Sequence, residues 1–216
     1  WRVGAPMGAQ WTLDVGAYAV FAAVLAAAGE AHLAAHVLVV RIICISFLPG
    51  YGVAEAVGVL VGQAVGAGRP DRAAAAWRAG TALATSLMAG MGLVFVASPE
   101  ALLLGLGARP EVLALGVELL WIAAAFQVLD AVATVAAGAL TGAGETRFVL
   151  WSSVVGAWAV KLPLGAGLAL GYGLGATGAW LGITGELVLM SVLLAWRARR
   201  LAPAIEASPR AALSVS

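Results

Sequence analysis

The sequence predicts an all-α, polytopic membrane protein. Of its 216 residues, 62% are hydrophobic and only 11% are charged, and the mean hydropathy is +1.00. A soluble globular domain is about 45–50% apolar and about 25% charged. In addition, six apolar segments each reach the roughly 20 residues that a helix needs to cross the hydrocarbon core of a bilayer. Together these observations predict a bundle of helices inside a membrane.

The six predicted helices follow one another with short connections. They cover residues 4–28, 33–65, 73–97, 112–140, 148–170 and 176–196. A Gly-rich stretch between Pro99 and Arg109 separates the third helix from the fourth, and we expect it to form a loop with one interfacial turn. Residues 1–200 are therefore predicted to form one transmembrane domain. Residues 201–216 are predicted to form a polar, disordered tail.

The placement of arginine predicts the orientation of the bundle. If the six helices alternate in direction, most arginines near helix ends fall on one side, which the positive-inside rule assigns to the cytoplasm. These residues are Arg2, Arg69, Arg72, Arg78, Arg147, Arg197, Arg199 and Arg200, against Arg109 alone on the other side. Both ends are thus predicted to face the cytoplasm across the inner (plasma) membrane. The formal net charge of +1 leaves no strongly basic surface for nucleic acid.

The start of the sequence does not resemble a signal peptide. Apolar sequence begins almost immediately after Trp1, without a basic region and without a cleavage site after small residues. We interpret this start as a position inside a longer protein.

The first helix carries a carboxylate near its midpoint. Gln10, Asp14 and Tyr18 are spaced four residues apart, so they lie on one helix face. Asp14 is therefore a candidate for a polar pocket, with Gln10 and Tyr18 as neighbouring polar groups.

The second helix combines charged residues with helix breakers. Arg41 is expected to be paired or to line a cavity, and Glu55 is either a cavity carboxylate or a salt-bridge partner. Pro49 is either a hinge or a tolerated proline. His32 and His36 have an i, i+4 spacing, but Leu33 replaces the glutamate of a zinc protease motif, so no metal site is predicted.

Glycines recur one helical turn apart in several segments. Such spacing lets helix backbones approach closely in lipid, although a composition with 28 glycines also produces some pairs by chance. The spaced residues are Gly58, Gly62 and Gly66, then Gly138 and Gly142, then Gly167, Gly171 and Gly175, and finally Gly178 and Gly182.

The fourth helix carries Asp130, which the rest of the interpretation depends on. A short Asp side chain near the bilayer centre cannot reach water, and an ionised carboxylate there costs at least about 2.5–3.5 kcal/mol. Asp130 must therefore face protein or a water-filled cavity. Gln127 and Thr134, three and four residues away, lie on the same broad face.

The last two helices hold Lys161 and Glu186. Lys161 is expected to be paired or to line a cavity, and Glu186 to pair within the bundle. Asp14 and Asp130 could in turn pair with Lys161 or Arg41, or simply bond to neighbouring helices. The alternative is a shared pocket in which Asp14 and Asp130 bind H⁺ or Na⁺. The chain has no G-x-S-x-G motif and no P-loop lysine, so an enzyme is not expected.

Five strings, in order along the chain, resemble one lobe of a multidrug and toxic compound extrusion (MATE) transporter. They are LAAHVLVVRI, LPGYGVAEAVGVLVGQAVGAGRPDRA, DAVATVAAGALTGAGETR, KLPL and GLGATGAWLG. The spacing of Pro6 and Asp14, together with Asp130, resembles the C-terminal lobe of the NorM-type branch. That branch usually has glutamate where this chain has Asp14, and aspartate where it has Glu145.

The resemblance implies a function and partners. It implies two homologous six-helix lobes around a central cavity, so a homologous N-terminal lobe would be missing from this chain. It implies export of small organic, often cationic compounds in exchange for H⁺ or Na⁺, with Asp14 and Asp130 coupling the cation and no cofactor. Two alternatives stay open: a lipid-linked oligosaccharide flippase of the same superfamily, which would need more cavity cations than Arg41 and Lys161, and an inactive half-transporter.

Overall fold

A computed structural model describes residues 4–201, except for the side chains of residues 4–7 and 9–11. Within this part of the chain every regular element is helical, which confirms the all-α prediction. The α-helices are α1 (Gly4–Ala28), α2 (Glu30–Gly66), α3 (Pro70–Ala97), α4 (Pro99–Gly105), α5 (Pro110–Gly142), α6 (Thr146–Val155), α7 (Leu162–Ala166) and α8 (Gly175–Arg199). Two π-helical turns, Gly156–Lys161 and Gly167–Gly171, precede and follow α7.

Five of these helical spans are long and apolar enough to cross a bilayer. They are α2, α3, α5, the continuous α6–α7 span Thr146–Gly171, and α8, while Thr12–Ala28 of α1 forms a shorter apolar helix. Each helix extends at most three residues beyond its predicted segment. The predicted loop between the third and fourth segments instead contains the short helix α4, whose Leu103 is fully buried. Leu201, placed in the predicted tail, is also buried, and residues 202–216 lie outside the described residues.

Helix ends follow from the local sequence. Pro70, Pro99 and Pro110 each occupy the first turn of a helix, where the missing proline N–H needs no partner. Where α5 and α8 end, Nε and Nη2 of Arg197 in α8 both donate to the carboxylate of Glu145, Nη2 over 3.0 Å. This pair joins the end of α8 to the turn that follows α5.

Helix α5 is the centre of the bundle and packs against α2, α3 and α8. A Cβ atom on Gly58 would lie 3.0 Å from the carbonyl oxygen of Gly138, and one on Gly142 would collide with the backbone of Gly58. These glycines therefore allow direct backbone contact between α2 and α5, as their spacing predicts. Gly66, Gly167 and Gly171 do not have this role, because nothing lies within 4 Å of their Cβ positions.

The α6–α7 span approaches α8 just as closely. A Cβ atom on Gly182 would collide with the backbone of Gly165 and with the carbonyl oxygen of Lys161. Pro163 lies between the two π-helical turns. Proline removes an intrahelical N–H donor, and the wider π turns change which residues face α8.

Candidate functional site

A cavity of about 760 Å³ opens between α1, α2, α5 and α6. Two carboxylates, Asp14 and Glu55, line it together with Tyr18 and Tyr51. The remaining lining residues are small or apolar, apart from three threonines; they are Val15, Phe47, Ala54, Gly58, Val59, Thr134, Ala137, Gly138, Thr141, Gly142, Thr146 and Val149. Among the described side chains, no basic residue faces this cavity.

Asp14 lies on the cavity wall and is held by the neighbouring helix. The hydroxyl of Ser153 in α6 donates a hydrogen bond of 3.0 Å to Asp14 Oδ1. This hydrogen bond fixes the orientation of the carboxylate. The second oxygen of Asp14 remains available for a cation. Sequence reasoning missed Ser153, because nothing in the sequence links two residues separated by 139 positions.

Asp130 lies behind the cavity wall and does not line the cavity itself. The hydroxyl of Thr134, one turn further along α5, donates to Asp130 Oδ1 over 3.3 Å, and Thr134 does line the cavity. Asp130 and the cavity are therefore connected through a single hydroxyl group. The expectation of one pocket shared by Asp14 and Asp130 is thus replaced by two adjoining positions.

Glu186 of α8 faces the α6–α7 span. It packs against Gly156, where a Cβ atom would lie 3.3 Å from Glu186 Cγ. Its Oε2 is also 3.1 Å from Nζ of Lys161, and both side chains are largely buried, with 17% and 14% of their surfaces exposed. The predicted pairing of Glu186 within the bundle is what the structure shows, and its partner is the lysine that sequence analysis placed among the cavity candidates.

These four charged groups lie at similar depth. At 1.5 Å per residue, Asp14 is about 15 Å from the Gly4 end of α1, and Asp130 is about 18 Å from the Gly142 end of α5. Glu186 is about 20 Å from the Arg199 end of α8, and Lys161 about 22 Å from Thr146. All four therefore lie well inside their helical spans, about 15–22 Å from one end, on the scale of a hydrocarbon core about 30 Å thick. Within the described side chains, no three His, Cys, Asp or Glu residues converge on a single metal position.

His32 and His36 of α2 both accept hydrogen bonds from α8, and each ring has its own partner. His32 Nδ1 accepts a hydrogen bond of 3.1 Å from the backbone N–H of Ala176. His36, only 2% exposed, accepts a 3.2 Å bond at Nδ1 from the indole of Trp180. A neutral ring then carries its hydrogen on Nε2, which donates to the Tyr18 hydroxyl 3.2 Å away. Tyr18 therefore connects this buried cluster to the cavity.

Gly175 makes the approach of His32 to α8 possible. It has a φ of +55°, which disfavours residues with a side chain. A Cβ atom at this position would also overlap the His32 ring. The start of α8 is thereby fixed against α2.

Three other candidates lie away from the cavity or cannot be placed. Gln127 is fully buried between α5 and α2, where its Nε2 donates to the Ser46 hydroxyl over 2.8 Å. Arg41 is exposed and lines a separate groove with Glu30 and Arg109. The side chain of Gln10 lies outside the described residues.

Comparison with known proteins supports the resemblance found in the sequence. The MatE family model matches residues 6–166 of the chain. "Probable multidrug resistance protein NorM" of Brucella suis is 34% identical over 205 residues, which are 93% of this chain and 44% of that protein. The protein of the same name from Mesorhizobium japonicum is 36% identical over 201 residues, covering 91% and 43%. The chain thus spans less than half the length of these curated relatives.

A solved structure shares the fold. It is described as the inward-facing conformation of a multidrug resistance MATE family transporter of the MOP superfamily, and it superposes with a TM-score of 0.85 at 18% identity. The match covers 96% of this chain and 48% of the solved one. The six long helical spans of this chain are thus arranged as in half of that structure. Because the MatE family model matches residues 6–166, the chain is a multi-pass membrane protein that belongs to the MATE family.

Proposed function

We propose that this chain is the C-terminal lobe of a transporter that exports small organic compounds in exchange for H⁺ or Na⁺. The observation that carries the proposal is a cavity inside a membrane-spanning bundle, with Asp14 and Glu55 on its wall and Asp130 linked to that wall through Thr134. Such groups are costly in a bilayer and mark ion or substrate pathways. The name of the relatives, multidrug resistance protein, also supports a role in the export of organic compounds.

The coupling cation would load at Asp14 and Asp130. Each carboxylate has one hydroxyl donor, from Ser153 or Thr134, so each retains acceptor positions for a proton or a sodium ion. Neutralising them removes charge from the interior and favours a different packing of the helices around the cavity. A ligand shifts such an equilibrium only as far as it binds one state better than the other, and here that differential binding comes from the carboxylates.

The lining of the cavity fits an organic cation. Most of the wall is apolar, while Asp14 and Glu55 supply negative charge and Tyr18 and Tyr51 supply aromatic faces. Aromatic faces attract organic cations by about 0.5–2 kcal/mol each. The homologous N-terminal lobe would close the cavity from the opposite side. The arginine distribution supports an inner-membrane location with both ends of this lobe in the cytoplasm.

The flippase alternative has less support. A lipid-linked pyrophosphate needs cationic side chains in the cavity, but Lys161 is paired with Glu186 and Arg41 lines another groove. The acidic wall instead favours a cationic or neutral substrate.

The test is transport by the complete two-lobe protein in proteoliposomes. Asp14→Asn and Asp130→Asn should each reduce export of a fluorescent organic cation, driven by an H⁺ or Na⁺ gradient, to the level of empty vesicles. Asp71→Asn is the matched control, because Asp71 is an exposed residue at the start of α3 that pairs with Arg69 over 3.0 Å. Gradient-driven export by both aspartate variants at the wild-type rate would refute the proposed coupling.

A further inference from the structure

Helix α8 and the π-helical turn Gly156–Lys161 together form a largely buried ion pair. Lys161 Nζ and Glu186 Oε2 are 3.1 Å apart. Asp14 bonds to Ser153, and Glu186 packs against Gly156 three residues further along the same span. The ion pair therefore lies next to the helical turn that holds Asp14.

Glycines on both helices create the space for this pair. A Cβ atom on Gly156 would lie 3.3 Å from Cγ of Glu186 and 3.5 Å from its Oε1. On the other side, a Cβ atom on Gly182 would collide with the carbonyl oxygen of Lys161. The π-helical turn Gly156–Lys161 begins at the glycine that contacts Glu186 and ends at Lys161 itself. The ion pair therefore occupies a position built by two helices rather than a chance contact.

We propose that the Lys161–Glu186 ion pair limits the number of cations that the transporter carries, because the lysine occupies Glu186 as a tethered cation and so removes it from the carboxylates that can load, whereas Asp14 and Asp130 remain available. The inference rests on the proposed cation coupling. A carboxylate buried inside the bundle must be neutralised, by a proton or by another cation. Lys161 supplies that cation permanently, whereas the aspartates have hydroxyl donors and no basic partner within salt-bridge distance among the described residues.

The two single substitutions should therefore have different effects. Lys161→Met leaves Glu186 without its cation, so Glu186 becomes a third exchangeable site and the number of cations moved per substrate rises by one. Glu186→Gln releases the ammonium group, which can then turn toward Asp14 or Asp130 and compete with the transported cation. A competing charge within about 4–6 Å changes the cation affinity of a carboxylate about 10- to 1,000-fold.

The experiment measures coupling in proteoliposomes that contain the complete two-lobe protein, with ethidium as the probe. The number of cations per substrate is obtained from the ion gradient that exactly balances a fixed ethidium gradient. Lys161→Met should raise this number by one. Glu186→Gln should leave it unchanged but raise the half-saturating cation concentration at least about tenfold. The double variant Lys161→Met/Glu186→Gln has no charge at either position and should return both values to those of the wild type.

Each result decides between a coupling role and a structural one. If Lys161→Met leaves the number unchanged, or if Glu186→Gln leaves half-saturation unchanged, the ion pair only stabilises the fold and the proposal is wrong. Glu186→Gln serves as the decisive arm if Lys161→Met does not fold. Failure of the proposed function itself looks different, because Asp14→Asn and Asp130→Asn would then still export with the gradient.

Discussion

The backbone contact between α2 and α5 gives a prediction whose magnitude can be worked from the structure. A Cβ atom on Gly142 would collide with the backbone of Gly58, whereas one on Gly66 meets nothing within 4 Å. Both glycines end their helices, at the end of α5 and of α2 respectively. Gly142→Ala and Gly66→Ala are therefore a matched pair in which the change in helix propensity, about 1 kcal/mol at most, largely cancels.

What remains is the cost of forcing two helices apart. Overpacking of a tight contact costs about 1–3 kcal/mol, so Gly142→Ala should be less stable than Gly66→Ala by that amount. For a domain of about 150–250 residues, each kcal/mol lowers the midpoint of thermal unfolding by about 2–4 °C. The expected difference between the two variants is thus about 2–12 °C.

The assay is thermal unfolding of the purified complete protein in one detergent, followed by tryptophan fluorescence. Because Gly58, Gly138 and Gly142 also line the cavity, Gly142→Ala should reduce export as well. Equal midpoints for Gly142→Ala and Gly66→Ala would show that α2 and α5 do not touch at these glycines, and the cavity wall described above would be wrong.

Two further predictions concern buried hydrogen bonds. Ser46→Ala removes the partner of the buried Gln127 amide, whose Oε1 already has no partner among the described residues. This change should destabilise the protein by about 1–3 kcal/mol. The double variant Ser46→Ala/Gln127→Leu should recover most of this loss in the same unfolding assay, and no recovery would contradict the assigned hydrogen bond. Trp180→Phe keeps the aromatic packing but removes the donor to His36 Nδ1, and should lower the free energy of unfolding by about 1–3 kcal/mol. Trp151→Phe, at an exposed position, should change the unfolding midpoint little. Similar losses of stability for both variants would show that the indole hydrogen bond is unimportant.

The helices themselves were predictable because length and hydropathy decide whether a segment crosses a membrane. The close crossing of α2 and α5 was also visible, since only glycine allows backbone contact and its spacing of four residues marks one face. Gly66 and Gly171 have the same spacing but open surroundings. The spacing alone does not reveal whether another helix lies opposite.

The candidate site was only partly predictable from helix faces. Asp14, Tyr18, Glu55 and Thr134 line the cavity, but Gln127 is about 60° around α5 from Asp130 and faces α2 instead. Arg41 shares a face with Glu55 but lies about 21 Å away along α2, in another groove.

The contact of Ser153 with Asp14 and the choice of Lys161 as the partner of Glu186 were not predicted, for a physical reason. Both depend on which residues of the α6–α7 span face the bundle. The π-helical turn Gly156–Lys161 shifts that phase, and the regular spacing of three or four residues cannot reveal such a shift. Only the packed structure brings Lys161 to Glu186 and Ser153 to Asp14.

The most direct test of the account is a count of cations bound at equilibrium by the purified complete transporter. Wild-type protein should bind H⁺ or Na⁺ in a saturable manner and release it when an organic cation is added. The variant Asp14→Asn/Asp130→Asn should neither take up nor release a cation at these positions, while its thermal stability stays close to that of the wild type. Unchanged cation binding and release by the folded double variant would contradict the claim that these two carboxylates carry the coupling ion.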